Sequence, residues 1–490
     1  MTTPLLCVTV TAATMADLRT GRDRAAAVAD LVELRLDGVR DIDVQSALAG
    51  RLTPVVVTCR ARREGGAFDG SEDERLGFLA QALELGAEYV DVEWDSAFAP
   101  LVARRRGRGV VLSSHDFTGV PTDLRERFRA MQATGAEVLK IAVTAHTLAD
   151  NLPLLAIGRE ASDGARIALV AMGTPGLASR VCAARFGSCW TYSGDAVAPG
   201  QLSPDRMVSE FRFRKITPAT RLFGIVGRPI DHSVSPAMHN AAFDATGFDG
   251  VYIPLAARDS GDFRTFADAA GLSGASITAP FKVDLLGEAD EVDESARLCG
   301  ATNTLRVDEG RWSVRNTDVG GFLEPLDSRG VDLSGARAAV LGTGGAARAV
   351  VVGLGQRGAR VTVYGRRQDR ALAVAALARL GEAGVGQPKS GSWDVLINAT
   401  PAGAWPGVDA SPVDPGVLTG GGLVYDLVYN PGRTALLRDA EAAGCTTVGG
   451  LEMLVAQAVQ QFEWWTGVRA PRDRMRAAAM DRLSRIAGAA

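Results

Sequence analysis

The feature that most constrains the fold of this chain is a rhythm. Up to about residue 200, short β-branched runs alternate with longer segments of helical spacing. The runs are LLCVTV (5–10), LVELRL (31–36), VVVTCR (55–60), YVDVEW (89–94), VVLSSH (110–115), VLKIAV (138–143), IALVAM (167–172) and CWTYS (189–193). Between them lie stretches such as DERLGFLAQALELGAEY, apolar at helical intervals and closing near glycine. Eight βα units predict an α/β fold of the (β/α)8 TIM-barrel kind, with an open doubly wound sheet as the alternative. In a barrel the strand ends converge on one mouth. There the sequence puts Glu33, Arg35, Arg60, Glu64, His115 and Lys140. Glu33 and Arg35 are two apart on one strand, so both face the same side.

After residue 212 the pattern changes. FRKITPATR (213–221) is a short charged joint, and an α/β stretch runs from FGIVG to about 320. From 335, ARAAVLGTGGAARAVVVGLG is a strand, a glycine turn and a helix, and RVTVYGR follows as a second strand. WDVLINAT (393–400) and GLVYDLV (422–428) continue a doubly wound pattern, and the tail from 450 is helical. The expected division is therefore a barrel over 1–212, a linker over 213–221, an α/β substrate domain over 222–320 and a Rossmann-like domain over 321–448. Helices over 449–490 are expected to pack back on the substrate domain.

The near-cancellation of 53 basic and 57 acidic residues argues against a chain built to coat nucleic acid or an anionic membrane. No apolar run approaches the roughly 18 residues of a membrane helix. Six scattered cysteines without a CxxC pair read as buried hydrophobes of a reducing compartment, and the N-terminus runs straight into a first strand, not a signal peptide. The expected location is cytoplasmic. No spacing suggests a metal site, and the oligomeric state is left open.

Composition sharpens one point. Of the 53 basic residues only Lys140, Lys215, Lys282 and Lys389 are lysine. Arginine keeps its proton in a protein, whereas lysine can lose it and become a nucleophile or base. Lys140 stands in an apolar strand with His115 ending the strand before it. Arg35, Arg60 and Arg180 are expected to crowd it with positive charge and, with desolvation, to favour its neutral form. A neutral lysine condenses with a ketone, and a neighbouring histidine can take the α-proton. Lys215 and Lys389 read as surface residues, and His146, His232 and His239 as helix or loop residues.

ELRLD, TCRARREGG, SSHDF, LKIA, MGTPGLASR and APGQ, in that order, resemble type I 3-dehydroquinate dehydratase over about residues 5–210. The resemblance implies a lysine Schiff base between Lys140 and the ketone of 3-dehydroquinate. It implies that His115 removes the C2 proton and later protonates the departing hydroxyl, with Glu64 orienting the histidine. Glu33, Arg35, Arg60, Arg180 and Gln201 would bind hydroxyls and carboxylate, Arg180 as the carboxylate clamp. Val197 stands where many relatives have serine, which puts one substrate hydrogen bond in doubt.

In the second half, Gly342, Gly344 and Ala347 form a GxGxxG/A frame between a strand and a helix, a dinucleotide-binding arrangement. The second strand ends in Tyr364-Gly365-Arg366-Arg367, with Arg370 shortly after, and basic residues there suit a 2′-phosphate, hence NADP(H). Ser233 and Ser235, two apart, suit a carboxylate, with helix capping before Pro236 as the plainer reading. Trp464 and Trp465 read as packing.

GASITAPFK, GATNT, RNTDVGG, the glycine loop, INATPAG, DLVYNP and GLEMLVAQAVQQFEWWTG are similar to shikimate dehydrogenase from about residue 222 onward. The similarity implies that Ser233 and Ser235 take the carboxylate while Thr278, Asn303, Tyr429 and Gln457 hold the ring. Lys282 and Asp318 would form the polar pair at the reacting hydroxyl, and Gly342, Gly344, Gly345, Ala346, Arg366 and Arg370 would bind the cofactor. Ser276 and Gly365 stand where relatives usually carry asparagine. The first is expected to weaken loop order, the second to loosen adenine-side contacts.

The combined expectation is a fusion of two consecutive shikimate-pathway enzymes acting on small molecules, dehydrating 3-dehydroquinate and then reducing 3-dehydroshikimate with NADPH. The rivals are an NAD-dependent quinate dehydrogenase in the second half, a regulatory protein with silent sites, and a Schiff-base aldolase for the barrel.

Overall fold

The computed structural model describes residues 3–161, 165–194, 200–230 and 233–488. The chain divides into two compact units, residues 1–221 with 249–271 and residues 222–248 with 272–490.

In the first unit all eight expected strands form: β1 (Leu5–Thr11), β2 (Leu31–Arg35), β3 (Val55–Thr58), β4 (Tyr89–Glu93), β5 (Val110–Asp116), β6 (Val138–Thr144), β7 (Arg166–Met172) and β8 (Trp190–Ser193). They lie in the order β7-β6-β5-β4-β3-β2-β1-β8, parallel throughout. A bridge between Ile167 and Ser188 closes the ring, with Cys189 N–H donating to Ile167 O at 2.7 Å. The barrel, not the open sheet, is the architecture. Parallel strands are buried on both faces, which is why Val55, Val56 and Val57, like Val110, Val111 and Leu112, have no exposed surface. Helices on the outside start and stop where local chemistry directs. Ser71 Oγ accepts from Glu74 N–H at 3.2 Å to cap Glu72–Glu84, and Gly86 (φ +85°) ends it.

The 213–221 joint is not a loose tether. Phe213 and Ile216 are buried and Arg214 pairs with Asp30 at 2.8 Å.

β9 (Arg221–Val226) opens the second unit, while β10 (Gly250–Leu255) and the helix Ser260–Ala270 group with the first. There the Asp262 carboxylate accepts from Leu148 N–H and Ala149 N–H at 3.1 and 2.9 Å. Within the second unit, β9, β11 (Leu272–Ile277), β12 (Glu291–Val292), β13 (Thr304–Asp308) and β14 (Arg311–Arg315) run in the order β9-β11-β13-β14-β12. The sheet is mixed, because β13 and β14 form a hairpin antiparallel to each other and β13 runs antiparallel to β11. Its two-residue turn, Glu309-Gly310, takes positive φ at both positions (50° and 80°), which suits the twist of a hairpin.

The third sheet holds β15 (Arg337–Leu341), β16 (Arg360–Tyr364), β17 (Gly381–Ala383), β18 (Val395–Asn398), β19 (Leu423–Asp426) and β20 (Thr446–Val448). It is wholly parallel, in the order β17-β16-β15-β18-β19-β20. The order in which strands are added reverses between β15 and β18, and such a switch point opens a crevice beyond the carboxyl ends of both strands. The tail forms helices Gly450–Thr466 and Arg472–Gly488, and the latter lies along the helix Ser235–Thr246. Trp465 packs on Phe223 (centroids 5.4 Å apart) and donates to Leu305 O at 2.8 Å. Trp464 lies under Arg315 at 3.8 Å.

Candidate active sites

The barrel mouth gathers Glu33, Arg35, Arg60, Glu64, His115, Lys140, Arg180 and Gln201 around one cavity. Lys140 sits in the middle of β6 and is buried. Its Nζ lies 3.0 Å from Asp91 Oδ2, 3.7 Å from Glu33 Oε1 and 4.2 Å from the centre of the Tyr192 ring. The expected crowd of arginines is thus corrected. The nearest charges to the amine are carboxylates from β4 and β2, and the arginine closest to them points at the same carboxylate.

That arginine is Arg60. Its Nη2 reaches Asp91 Oδ1 at 2.9 Å, and its Nη1 reaches Ser113 Oγ at 2.8 Å, Glu93 at 3.3 Å and Glu64 at 3.7 Å. Burial opposes its charge, but Asp91, Glu93 and Glu33 outweigh it and hold the guanidinium firmly cationic. Asp91 has no exposed surface. Burial would raise its carboxyl, yet Arg60, Lys140, His115 and the Ser113 hydroxyl hold it well below the usual carboxylate range. Arg35 is engaged bidentately by Asp37, with both bonds 2.8 Å. Glu33 accepts from Thr9 Oγ1 (2.7 Å) and Thr58 Oγ1 (2.9 Å).

His115, at the end of β5, bonds through Nδ1 to Glu64 Oε2 at 2.7 Å, and the Phe117 ring stacks on it with 6.2 Å between centroids. Burial, then Arg60 and Lys140, push the imidazole well below its usual value, so it stays uncharged. Burial lifts the Glu64 carboxyl to about 7, with Arg60 opposing and Glu93, Asp95 and Asp91 reinforcing. The tautomer follows from where that proton sits. With Glu64 ionised, Nδ1–H donates to it and Nε2 is left as the acceptor.

Arg180, from the helix Leu177–Val181, is buried and its guanidinium is pushed down to about 10 by desolvation. An anion placed against it would reverse that penalty. Gln201 lies at the wall beside Gly194. Val197 and His232 fall outside the described residues. Sequence reasoning missed Asp91, Glu93 and Tyr192. The signal was present in YVDVEW, where two carboxylates alternate with valines in a strand buried from Val90 to Glu93.

The second cavity is lined by Ser233, Ser235, Thr278, Lys282, Asn303, Asp318, Tyr429 and Gln457, every polar residue expected there. Lys282, in the turn after β11, forms an ion pair with Asp318, the first residue of the helix Asp318–Asp327. Asn303 Nδ2 donates to Asp318 Oδ1 at 2.7 Å and reaches Gln457 Oε1 at 3.4 Å, chaining two of the residues expected at the ring to the pair. Ser233 Oγ accepts from Ser235 N–H at 3.2 Å in a short turn ahead of the helix, whose N-cap is Val234 without a side-chain bond, and both serines line the cavity. Burial pushes the Tyr429 phenol up.

Ser276 corrects an expectation. It lies in β11 rather than a loop, and its hydroxyl donates to Gln461 Oε1 at 2.8 Å. Gln461 in turn reaches Thr304 Oγ1 at 3.0 Å, a fixed contact that sequence reasoning did not see. His239 is buried near Trp465, which pushes it down to about 3.

The glycine turn fits a dinucleotide. Gly342 follows β15 with φ +116°, and a Cβ there would meet Ala399 O at 2.9 Å. Gly344 caps the helix Gly345–Gln356 without a side-chain bond, leaving the first amides of that helix for an anion. A Cβ on Gly344 would meet nothing, and one on Gly345 would meet Lys282 Cδ at 2.8 Å. Ala346 borders the cavity that holds Lys282. Arg366 and Arg370 are exposed beyond β16, while Arg367 is taken by Asp369 at 2.6 Å. Gly365 leaves room for Thr343, whose Cγ2 would stand 2.6 Å from a Cβ at that position. Among the described residues, no group of three or more potential metal ligands comes together, and no helix is long and apolar enough to cross a membrane.

Residues 6–218 match the family described as type I 3-dehydroquinase, 225–305 the shikimate dehydrogenase substrate binding domain, and 450–480 the shikimate 5′-dehydrogenase C-terminal domain. The chain is 36% identical over 480 residues to a chloroplastic bifunctional 3-dehydroquinate dehydratase/shikimate dehydrogenase of Arabidopsis thaliana, covering 91% of this chain and 79% of that one. It is 42% identical over 278 residues to an NADP(+) shikimate dehydrogenase of Symbiobacterium thermophilum, covering 54% of this chain and 95% of that one. Among solved structures, shikimate 5-dehydrogenase of Thermus thermophilus in complex with NADP(H) and shikimate is similar at a TM-score of 0.50 and 36% identity, covering 54% of this chain and 99% of that one.

Proposed function

This chain belongs to the family of bifunctional type I 3-dehydroquinate dehydratase/shikimate dehydrogenases, and from that we propose how its residues divide the work. The barrel dehydrates 3-dehydroquinate to 3-dehydroshikimate, and the second half reduces that product to shikimate with NADPH. The observation that carries the reading is the pairing, in one chain, of a buried lysine facing a His–Glu pair with a second lysine paired to aspartate beside a dinucleotide turn.

In the barrel, residues 1–212 are assigned to the dehydratase. Lys140 forms the imine with the substrate ketone, and the iminium draws electrons from the adjacent carbon. His115 Nε2 takes the C2 proton while Glu64 holds the ring through Nδ1, and the same nitrogen returns a proton to the departing hydroxyl. Arg180 and Gln201 receive the carboxylate and hydroxyls from the open side of the cavity. Arg60 and Arg35 are already committed to Asp91 and Asp37, so they act chiefly by fixing those carboxylates.

In the second half, with the substrate domain assigned to 222–320, the cofactor fold to 321–448 and the closing helices to 449–490, Ser233 and Ser235 take the carboxylate. Thr278, Asn303, Tyr429 and Gln457 orient the ring. A bound nicotinamide supplies hydride to the ketone. Lys282 holds the proton that the developing oxyanion needs, and Asp318 fixes that ammonium in line. Gly342, Gly344, Gly345 and Ala346 receive the pyrophosphate, and Arg366 with Arg370 a 2′-phosphate. All six cysteines are free, which suits a cytoplasmic enzyme.

The test is coupled turnover. With 3-dehydroquinate as sole substrate, the chain should oxidise NADPH to completion and NADH far more slowly. Oxidation with 3-dehydroshikimate but not with 3-dehydroquinate would remove the barrel assignment, and faster turnover of quinate with NAD would replace the second.

A further inference from the structure

The nitrogen of Lys140 has a socket. One Asp91 oxygen lies 3.0 Å from it, the other is held by Arg60 Nη2 (2.9 Å) and Ser113 Oγ (2.6 Å), and the face of Tyr192 covers it at 4.2 Å. A carboxylate and an aromatic face both stabilise a cation. We propose that Asp91 is the fixed counter-ion of this nitrogen, a carboxylate that stays ionised while the nitrogen passes from ammonium to iminium, with the Tyr192 ring completing the socket. The proposal rests on the imine assigned above to Lys140.

The chemistry balances without a base. The lysine nitrogen bonds to the carbonyl carbon, the carbon–oxygen bond breaks, and the oxygen leaves as water. Two of the three ammonium protons go with it. One positive charge stands on nitrogen before the exchange and one after it, so the partner carboxylate need not change protonation. Asp91 is suited to that constancy, because Arg60 and the Ser113 hydroxyl stabilise its ionised form from the side away from the lysine. A proton acceptor would need the opposite environment, such as the one around Glu64.

Several other groups face the nitrogen. Glu33 from β2 and Tyr192 from β8 lie close to it, and Cys7 from β1 interacts with it electrostatically. Arg60 after β3 and His115 at the end of β5 act from the mouth, with Arg35, Glu64 and Arg180 on the cavity wall. Cys7 is held in its neutral thiol form by burial, and Glu33 shares its carboxylate with Thr9 and Thr58. Asp91 is the carboxylate in direct contact.

The experiment uses the full chain, borohydride and 3-dehydroquinate, with peptide mapping of the adduct across pH. Wild type should trap on Lys140; an adduct elsewhere overturns the imine assignment, not merely this proposal. Asp91→Asn should then lower the trapped fraction about tenfold and move the acid limb of trapping about one pH unit or more lower, because the ammonium loses its counter-ion. Asp91→Glu keeps the charge and should return the limb to within a few tenths of a unit. Tyr192→Leu should lower trapping severalfold with a smaller shift in the same direction. Reduction of 3-dehydroshikimate by the same samples, with thermal melting, reports whether each variant is folded. If Asp91→Asn does not fold, the Asp91→Glu and Tyr192→Leu profiles decide. An unmoved acid limb in folded Asp91→Asn overturns the proposal, and where that variant does not fold an unmoved limb in Tyr192→Leu overturns it. Slower trapping with the limb moved upward would make Asp91 a proton acceptor instead.

Discussion

The two lysines at the centres of the two sites are held in opposite ways. Lys140 projects from the middle of a barrel strand, buried, with partners delivered by β2, β4 and β8. Lys282 lies in a turn, its side chain 17% exposed, against an aspartate that begins a helix and a glycine of the dinucleotide turn. A nitrogen that becomes part of the substrate needs a charge partner that cannot move, and a sheet supplies one. A nitrogen that only lends a proton must be able to recover it, and a solvent-edged turn permits that. On the proposed roles, the same residue type would serve covalent chemistry on a strand and proton donation on a loop.

The largest effect that would break this contrast is replacement by arginine. Lys140→Arg should drop dehydration to background while leaving reduction of 3-dehydroshikimate intact. Lys282→Arg should slow only the reduction, by about 100-fold, since it removes proton donation and keeps the charge. Equal losses would mean the two amines do similar work. Next, His115→Ala should lower elimination by about 1,000-fold while Lys140 still traps with borohydride; loss of both signals would tie the histidine to imine formation.

The third prediction sharpens the contrast through pH. Because burial lifts the Glu64 carboxyl to about 7, dehydration should rise about tenfold per unit below pH 7 and level above it, as ionised Glu64 leaves His115 Nε2 free to accept. Glu64→Gln should abolish that limb, and the reduction measured on the same enzyme should not show it. The linked stability effect has a definite sign. The folded-state value is above the unfolded one, so the folded chain binds the extra proton, and this contribution is lost as pH rises from about 4.5 to 7. The smallest effect is expected at Arg366. Arg366→Ala should raise the NADPH KM about tenfold with NADH nearly unchanged, the loss of a charged hydrogen bond.

Much of this was legible in the residues. The barrel strands declared themselves because β-branched runs buried on both faces have little other use, and Lys140 stood out against an arginine background. Lys282, Asp318, Asn303 and the serine pair lie at turns whose local sequence brings them to one cavity. Asp91 left a trace as a carboxylate between valines, but its partner is not legible until the strand beside it is known. Arg60 was visible but its direction was not. A long guanidinium can point into the mouth or across it, and four partners on β4, β5 and the turn after β3 decide that here. The β13–β14 hairpin was missed because alternating α/β segments hid a two-residue Glu-Gly turn.

The close approach of Gly345 to Lys282 carries a practical consequence. One route to altering nucleotide binding is to enlarge a residue of the phosphate-binding turn. A side chain at 345 would meet Lys282 Cδ at 2.8 Å and so displace the residue proposed as proton donor of the reduction. On the proposed roles, conversion toward a dinucleotide without the 2′-phosphate belongs at Arg366, whose side chain stands clear in solvent.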